Sequence, residues 1–441
     1  MARLIIGHTT ESSVRIWVRG DRRNPVAFLS VEGGGTSQQD RKTTQEFFGY
    51  TAIFDVDQLS PSTEYRCSVE FGPATDTPSA ARVEFGHCHG RFRTFPPAAE
   101  KRVKFLLGSC NLHSLGWVQS PDPVYTSLLR VTEDDDADFM IHGGDQIYYD
   151  IPNFGKEPDL SEYRAKYLDA WGDSRPTRKF LTRLPHYMIL DDHELVNNFS
   201  NDMDSPMLGH DARHVKDIGV RVYREFQHIH NPHTFGAQPL YYSFSFGAVQ
   251  FFVLDTRTER YTGSGSETPQ IIDDLQMSTF LEWLKTHKAA IKFVVTSVPF
   301  ATHVENDKDG KWSSPRFRAD REKVLHQIVK HGIGKVTFLT GDMHNSYHAE
   351  MQLKKGEKTI RVNELMSSPL NQIQKTSRGR YRPERNKKSR GGKFTYSSGI
   401  KHFYNDHSNA MLISVDGDRI DFEIFRTRKL VRGESKGGYP A

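Results

Sequence analysis

The chain has 441 residues, of which 36% are hydrophobic and 26% are charged, and a formal net charge of +4 at pH 7. This length predicts two domains, and the composition is that of a globular protein. The longest apolar runs fall far short of the roughly 18 residues that a membrane helix needs, so no transmembrane span is predicted. Three cysteines are too few for a disulfide framework in a chain of this size.

The amino terminus lacks the apolar core of a signal peptide. The chain as given therefore predicts a cytoplasmic protein, whereas a trimmed sequence would also fit a periplasmic or secreted one. The small net charge does not indicate a particular kind of partner.

The first hundred residues read as short β-strands separated by turns. Polar and apolar residues alternate in three segments, residues 13–19, 64–71 and 90–95. Strands at this spacing indicate a β-sandwich. A short linker rich in proline and alanine follows at residues 96–100, and we place the boundary of an amino-terminal fibronectin-like domain, residues 1–97, there.

After this linker, buried strands repeatedly end in small or polar residues. These strand-to-loop units are residues 103–110, 139–145, 186–193, 249–255, 292–297 and 335–342. Helical stretches are predicted at 274–287 and 320–331, and further strands at 359–362, 411–415 and 419–425. The pattern favours a layered α/β domain, in which ligands gather at the carboxyl ends of strands.

Three of these strand ends carry acids. Asp145 and Asp342 each follow a glycine, and Asp192-His193-Glu194 closes a third unit. A single Gly-Asp after a strand is usually a turn or a helix cap. Three ionisable groups at one strand end are costly unless metals or solvent compensate, so the set favours a functional cluster. Carboxylate oxygens suit divalent and trivalent cations.

Six short blocks, in order along the chain, resemble the signature of the PhoD-like alkaline phosphatase and phosphodiesterase family. The main blocks are residues 144–150 (GDQIYYD), 191–198 (DDHELVNN) and 340–344 (TGDMH), and the others are 108–110, 254–257 and 364–368. The resemblance implies an α/β protein with an N-terminal β-sandwich followed by a four-layer α/β/β/α metallophosphoesterase domain, residues 98–441, of the calcineurin-like superfamily.

The same resemblance implies a site that holds Fe³⁺ and Ca²⁺, with other divalent metals as alternatives. The implied iron ligands are Cys110, Asp145, Tyr148 and Asp342. Asp145 would bridge to calcium, which Asp192 and Asn197 would also bind. A thiolate and a phenolate favour ferric iron, whereas carboxylate and amide oxygens are typical calcium ligands. Taken alone, Cys110 would read as a small apolar residue that ends a buried strand.

The expected reaction is hydrolysis of phosphodiesters, phosphomonoesters or both, by in-line attack of a metal-bridging hydroxide. His193 is the expected acid for the leaving group, and His344 is expected to bind phosphate or to orient the cluster. Arg257 and Asn111 are the expected substrate-binding residues. For Arg257, a surface salt bridge is the alternative interpretation.

Residues 375–393 contain nine Lys or Arg residues and a single acid, Glu384. We expect a solvated, mobile loop, and the alternative is contact with nucleic acid or another polyanionic substrate. The alternative function for the whole chain is therefore a polyanion or nucleic-acid binding protein with a structural metal site. A third hypothesis is a two-metal hydrolase that acts on a carboxylic ester or amide.

Overall fold

The computed structural model describes residues 3–74, 88–113, 123–151, 158–172, 175–204, 211–263, 268–305, 310–374 and 376–441. The helices of these residues are α1 Val124–Asp135, α2 Leu160–Gly172, α3 Arg175–Leu181, α4 Ala212–Phe226, α5 Asp274–Thr286 and α6 Arg318–His331. None of these helices has both the length and the apolar character needed to cross a membrane.

The amino-terminal strands are β1 Leu4–Thr9, β2 Val14–Arg19, β3 Val26–Gly33, β4 Thr36–Thr43, β5 Thr51–Val56, β6 Glu64–Gly72 and β7 Cys88–Arg93. They form a three-stranded sheet, β1-β2-β5, and a four-stranded sheet, β4-β3-β6-β7, both antiparallel. Alternate residues such as Ile16, Phe54, Val31 and Val69 point inward and form one core. Two facing sheets are what the alternating pattern predicts.

The later strands form two larger sheets. They are β8 Val103–Gly108, β9 Phe139–His142, β10 His186–Met188, β11 Tyr242–Phe246, β12 Val249–Val253, β13 Lys292–Val295, β14 His303–Val304, β15 Val336–Thr340, β16 Ser346–Lys355, β17 Lys358–Met366, β18 Tyr381–Arg382, β19 Glu384–Lys388, β20 Thr395–Tyr404, β21 Asn409–Asp416, β22 Arg419–Arg426 and β23 Val431–Pro440. The six-stranded sheet has the order β10-β9-β8-β21-β22-β23, and the eight-stranded sheet has the order β11-β12-β13-β15-β17-β16-β20-β19.

The two large sheets face each other, and helices cover their outer faces. Phe105 of β8 contacts Phe251 and Phe293 of the other sheet, with ring centroids 5.5 and 5.2 Å apart. The next residue, Leu106, points outward and packs in the cluster that contains α1. On the opposite side, Phe338 packs against α5 and α6. Both faces of the central strands are thus buried, and the expected α/β/β/α architecture is confirmed.

The amino-terminal sandwich packs against α2 and α4. The indole of Trp17 on β2 lies 6.1 Å from that of Trp171 and 5.8 Å from the ring of Phe226, measured between centroids. Its Nε1 donates to the carbonyl of Glu225 at 2.9 Å. A large aromatic side chain therefore joins the two parts of the chain, with its one polar atom satisfied.

The expectation of a mobile loop at residues 375–393 is wrong for the described residues, 376–393. β19 pairs with β20, and β18 pairs with β14. Tyr381 and Glu384 are buried, and Glu384 Oε2 lies 2.9 Å from Nη2 of the buried Arg321. Because this partner is distant in sequence, the local basic composition does not reveal that the segment is folded. Lys375 lies outside the described residues.

Candidate active site

Strand ends from both large sheets meet at one place. β8, β9 and β10 run parallel to one another, and the loops that follow them carry Cys110, Asp145 and Asp192. The loop after β15 carries Asp342. A β-carbon at Gly144 would lie 2.5 Å from Cβ of Asp191, so glycine is required for the loops to approach this closely.

Four of the predicted residues come together in the buried site. Ligand atoms of Asp145, Asp192 and His193 all lie within 4.8 Å of one another. Asp192 also forms such a group with Asp342 and with Asp191, a residue that the sequence analysis did not select. The two groups share Asp192, so they form one continuous cluster.

Cys110 and Tyr148 border this cluster. The thiol of Cys110 lies 3.3 Å from Oδ2 of Asp145, and burial, followed by the charge of Asp145, raises the pKa of this thiol well above its ordinary value. The ring of Tyr148 lies 4.2 Å from that of His193, between centroids. Neither side chain is an isolated strand-end residue, since Cys110 contacts Asp145 and Tyr148 packs against His193.

Arg257 is a buried partner of the acids. Its Nε donates to Asp191 Oδ1, which also accepts a hydrogen bond from the hydroxyl of Ser297 at 2.7 Å. Its Nη2 lies 3.7 Å from Asp192 Oδ2 and 3.8 Å from Asp342 Oδ1. The side chain is 0% exposed, so the alternative of a surface salt bridge is wrong.

Lys311 is a second buried cation that the sequence analysis missed. Its Nζ lies 2.6 Å from Asp342 Oδ2. Burial raises the pKa of Asp342 to about 6, and Lys311 acts in the opposite direction. Burial also acts to raise the pKa of Asp192, but the charge of Arg257, followed by that of His193, holds it below its ordinary value. Lys311 and Arg257 thus favour the ionised forms of Asp342 and Asp192 against the effect of burial.

His193 is held by an acid of its own. Its Nδ1 lies 2.7 Å from Oδ1 of Asp150, and Oδ2 of Asp150 accepts from the backbone N–H of Asn197 at 2.8 Å. Burial acts to lower the pKa of His193, but Asp192, Asp145 and Asp150 together raise it to about 10. Asp150 ends the first signature block and was not selected from the sequence, although an acid at a fixed spacing was a visible signal.

Glu194 is held by backbone N–H groups of the loops that carry the cluster. Its carboxylate accepts hydrogen bonds from the backbone N–H groups of Asp145, Gln146 and Asp191 at 3.0, 2.7 and 2.9 Å. Burial raises its pKa to about 7, although these N–H groups act to lower it. The expected crowding of Asp192, His193 and Glu194 is therefore relieved by the backbone, because Glu194 binds the loops together.

Three further predicted residues occupy defined positions. The described contacts of Asn197 and Asn111 with site residues are made by their backbone N–H groups. The N–H of Asn197 donates to Asp150, and that of Asn111 donates to the carbonyl of Asp145 at 2.8 Å. The side chain of Asn197 is exposed, whereas that of Asn111 is buried with Nδ2 3.4 Å from Tyr125. His344 is buried, and its Nδ1 lies 2.9 Å from the carbonyl of Ile373.

The donor atoms fit a metal site. Asp192 Oδ1, Asp191 Oδ2 and the phenolic oxygen of Tyr148 are buried without a hydrogen-bond partner in the part of the chain that the structure describes. Buried acceptors without a partner are costly and rare in native proteins. Cations bound among these oxygens would remove that cost, and a thiol, a phenol and carboxylates supply the kinds of donor atom that a mixed-metal site uses.

The α/β/β/α architecture, with acids on loops at its strand ends, defines a metallophosphoesterase-type fold. The family model described as PhoD-like phosphatase matches residues 105–424, and the chain belongs to this family. The chain is 23% identical over 394 residues to alkaline phosphatase D of Bacillus subtilis (strain 168), an alignment that covers 79% of this chain. It spans 64% of the length of that relative.

A solved structure described as the structure of PhoD has the same fold. The TM-score is 0.73 at 17% sequence identity, and the match covers 99% of this chain and 90% of that one. The family resemblance inferred from the signature blocks is thereby confirmed.

Proposed function

We propose that the protein is a hydrolase of phosphoric esters that acts on phosphodiesters, phosphomonoesters or both. The observation that carries this proposal is the cluster of Asp145, Asp192 and Asp342, which has buried oxygens without partners and adjoins His193 with its own acid. Such a site combines metal ligands with a group that can move a proton.

We also propose the metals and their ligands. Cys110, Asp145, Tyr148 and Asp342 would hold Fe³⁺, while Asp145, Asp192 and Asn197 would hold Ca²⁺, with other divalent ions as the alternative. When bound, such ions bind phosphate oxygens and lower the pKa of water. Asn197 is the weakest member of this set, because its side chain is exposed.

The protein's own groups have separate tasks. His193, oriented through its Nδ1 by Asp150, would donate its proton to the leaving oxygen. Arg257 Nη1 lacks a hydrogen-bond partner among the described residues and is our proposed phosphate contact, while its Nε fixes Asp191. His344 and Asn111 stay proposed as residues that contact or orient the substrate.

The test of the function is metal analysis of the purified protein, together with its rates on p-nitrophenyl phosphate and bis-p-nitrophenyl phosphate. Iron and calcium with turnover that a chelator abolishes are expected. A protein that binds polyanions but hydrolyses neither compound would instead be the binding protein of the alternative hypothesis. Turnover of carboxylic esters alone would indicate the third class of function.

The role of His193 is tested with leaving groups of different pKa. In His193→Ala, turnover of alkyl phosphates should fall much more than that of nitrophenyl phosphates, because nitrophenolate leaves without a proton. His407→Gln, which changes an exposed histidine, is the control. Equal losses on both classes of substrate would count against the proposed acid.

The folded basic segment supports a preference for polyanionic substrates, nucleic acid included. Tyr381 accepts a hydrogen bond at 2.8 Å from Nδ2 of Asn345, a residue in the same loop as Asp342. Arg378 and Arg380 on this segment are exposed. In Arg378→Gln/Arg380→Gln, activity on an oligonucleotide should depend less on salt, whereas activity on p-nitrophenyl phosphate should be unchanged. An unaltered salt dependence on the oligonucleotide would remove the proposed preference.

A further inference from the structure

A second basic cavity lies away from the aspartate cluster. It is a cleft of about 730 Å³ between β6 and β7 of the amino-terminal sandwich and α3 with the loop that follows it. Of the residues that the structure describes, seven Lys or Arg side chains and a single acidic side chain, Glu64, line it. No residue of the aspartate cluster contributes to its walls.

The charges of the sandwich wall are arranged unfavourably. Arg66 on β6 and Arg91 on β7 are paired directly across the two strands, so their side chains lie on the same face of the sheet. Like charges in directly opposed positions destabilise a strand pair. No salt bridge of either arginine is found among the described residues, and a bound anion would remove the repulsion.

The other walls contain guanidinium groups with unused donors. Arg3 Nη1 and Arg183 Nε lack hydrogen-bond partners among the described residues, but both atoms are covered by protein, so either side chain would have to turn to reach a ligand in the cleft. Arg3 uses Nη2 for Asp21 at 2.7 Å, and Arg183 Nε lies 3.9 Å from Glu133, too far for a hydrogen bond. Burial, followed by the charge of Arg91, lowers the pKa of Arg183, so positive charges from both walls act on each other.

The lining also indicates the class of ligand. Guanidinium groups bind phosphate oxygens with paired, charge-assisted hydrogen bonds. Among the described residues, the lining contains no Phe, Tyr or Trp side chain on which a nucleobase would stack. The cleft has the volume of a small-molecule site, which is typically about 300 to 1,000 Å³. We propose that this cleft binds a small ligand with several phosphate groups, recognised through those groups alone.

The probe for this proposal is inorganic tripolyphosphate, measured by calorimetry on the full chain. Asp192→Asn, which impairs the aspartate cluster, should retain the binding. Arg66→Gln/Arg91→Gln should bind about tenfold or more weakly, because each lost fork removes charge-assisted hydrogen bonds. Lys354→Gln/Lys355→Gln removes the same charge from exposed positions of β16 and is the matched control.

The melting temperature gives a second, independent measurement. Without ligand, Arg66→Gln/Arg91→Gln should melt at the same temperature as the wild type or higher, since the variant removes a like-charge pair. Its gain in melting temperature with tripolyphosphate should be smaller than that of the wild type. A lower melting temperature without ligand would show that the arginine pair stabilises the fold, and would contradict the proposal.

Three binding results would overturn the proposal. They are unchanged binding in Arg66→Gln/Arg91→Gln, loss of binding in Asp192→Asn, and an equal loss in the Lys354→Gln/Lys355→Gln control. ATP distinguishes the source of the phosphate groups. Similar affinities for ATP and tripolyphosphate support recognition of phosphates alone, whereas much tighter binding of ATP would show that the base is recognised and would refute the stated ligand class.

Discussion

Among the buried histidines, His142, His228 and His230 should make the folded state less stable in acid. His142 is 1% exposed, and burial lowers its pKa to about 4. His228 and His230 are 2% and 0% exposed, and burial, together with neighbouring charges, lowers the pKa of each to about 3. In the folded protein these imidazoles stay neutral at a pH at which they are charged in the unfolded chain.

The sign and size of the effect follow from these values. The stability from neutral burial is fully present above the unfolded pKa of 6.5 and is lost as the pH falls towards the folded pKa of 3 to 4. Between pH 7 and pH 5, each histidine should reduce the free energy of unfolding by about 2 kcal/mol. Three together approach about 6 kcal/mol, which is comparable with the whole stability of many proteins.

Urea denaturation at pH 7, 6 and 5 measures this loss directly. In His228→Gln, the difference in unfolding free energy between pH 7 and pH 5 should shrink by about 2 kcal/mol, because one titrating group is removed. His407→Gln, at an exposed position, should leave the difference unchanged. Identical losses in the wild type and His228→Gln would refute the argument; the total wild-type loss is not the test, because groups with a raised pKa, such as Glu194 at about 7, act in the opposite direction.

Three further changes test individual contacts. At pH 8, Glu194→Gln should lower the free energy of unfolding by about 3 kcal/mol or more, because an amide cannot accept from all the backbone N–H groups. The control is Glu259→Gln, because Glu259 forms a partly exposed ion pair with Lys216. It should change the free energy of unfolding by less than about 1 kcal/mol in the same denaturation assay. Asp150→Asn should slow the hydrolysis of alkyl phosphates more than that of nitrophenyl phosphates, and a uniform change in rate would argue against orientation of His193. Burial acts to raise the pKa of Glu384, but the charge of Arg321 lowers it to about 2. The stability that this ion pair contributes is therefore present above about pH 4.5 and is lost as the pH falls towards 2. Glu384→Gln should therefore be about 3 kcal/mol less stable at pH 7, with a smaller further loss in acid.

The sequence was informative where local rules determine the structure. Asp145 and Asp342 follow glycines at the ends of buried strands, and the carboxyl ends of strands in layered α/β folds gather at one edge. This rule explains why Asp145 and Asp192 meet, since β9 and β10 are neighbours in one sheet, but Asp342 follows β15 of the other large sheet, and the rule does not determine how two sheets face each other. The same reasoning selected Asp192, although not its neighbour Asp191.

The sequence did not determine which of several adjacent polar residues face the site. In the run 191–194, Asp191 binds Arg257, which is 66 residues away, and Glu194 binds backbone N–H groups of two loops. Lys311 reaches Asp342 from a loop 31 positions earlier, at 2.6 Å. Such pairs depend on how distant segments fold together, and neither composition nor periodicity contains that information.

The backbone of the site explains why Glu194 is needed. Cys110, Asp145 and Asp342 have φ values of 59°, 55° and 72°, in the left-handed region that non-glycine residues seldom adopt. Such conformations cost of order 1 kcal/mol or more each and persist only where the surroundings enforce them. Glu194 fixes the backbone N–H of Asp145 at 3.0 Å, and Glu364 accepts from Thr340, two residues before Asp342, at 3.1 Å. Because the two buried glutamates hold the strained loops, their removal should disturb the proposed metal ligands before it unfolds the sheets.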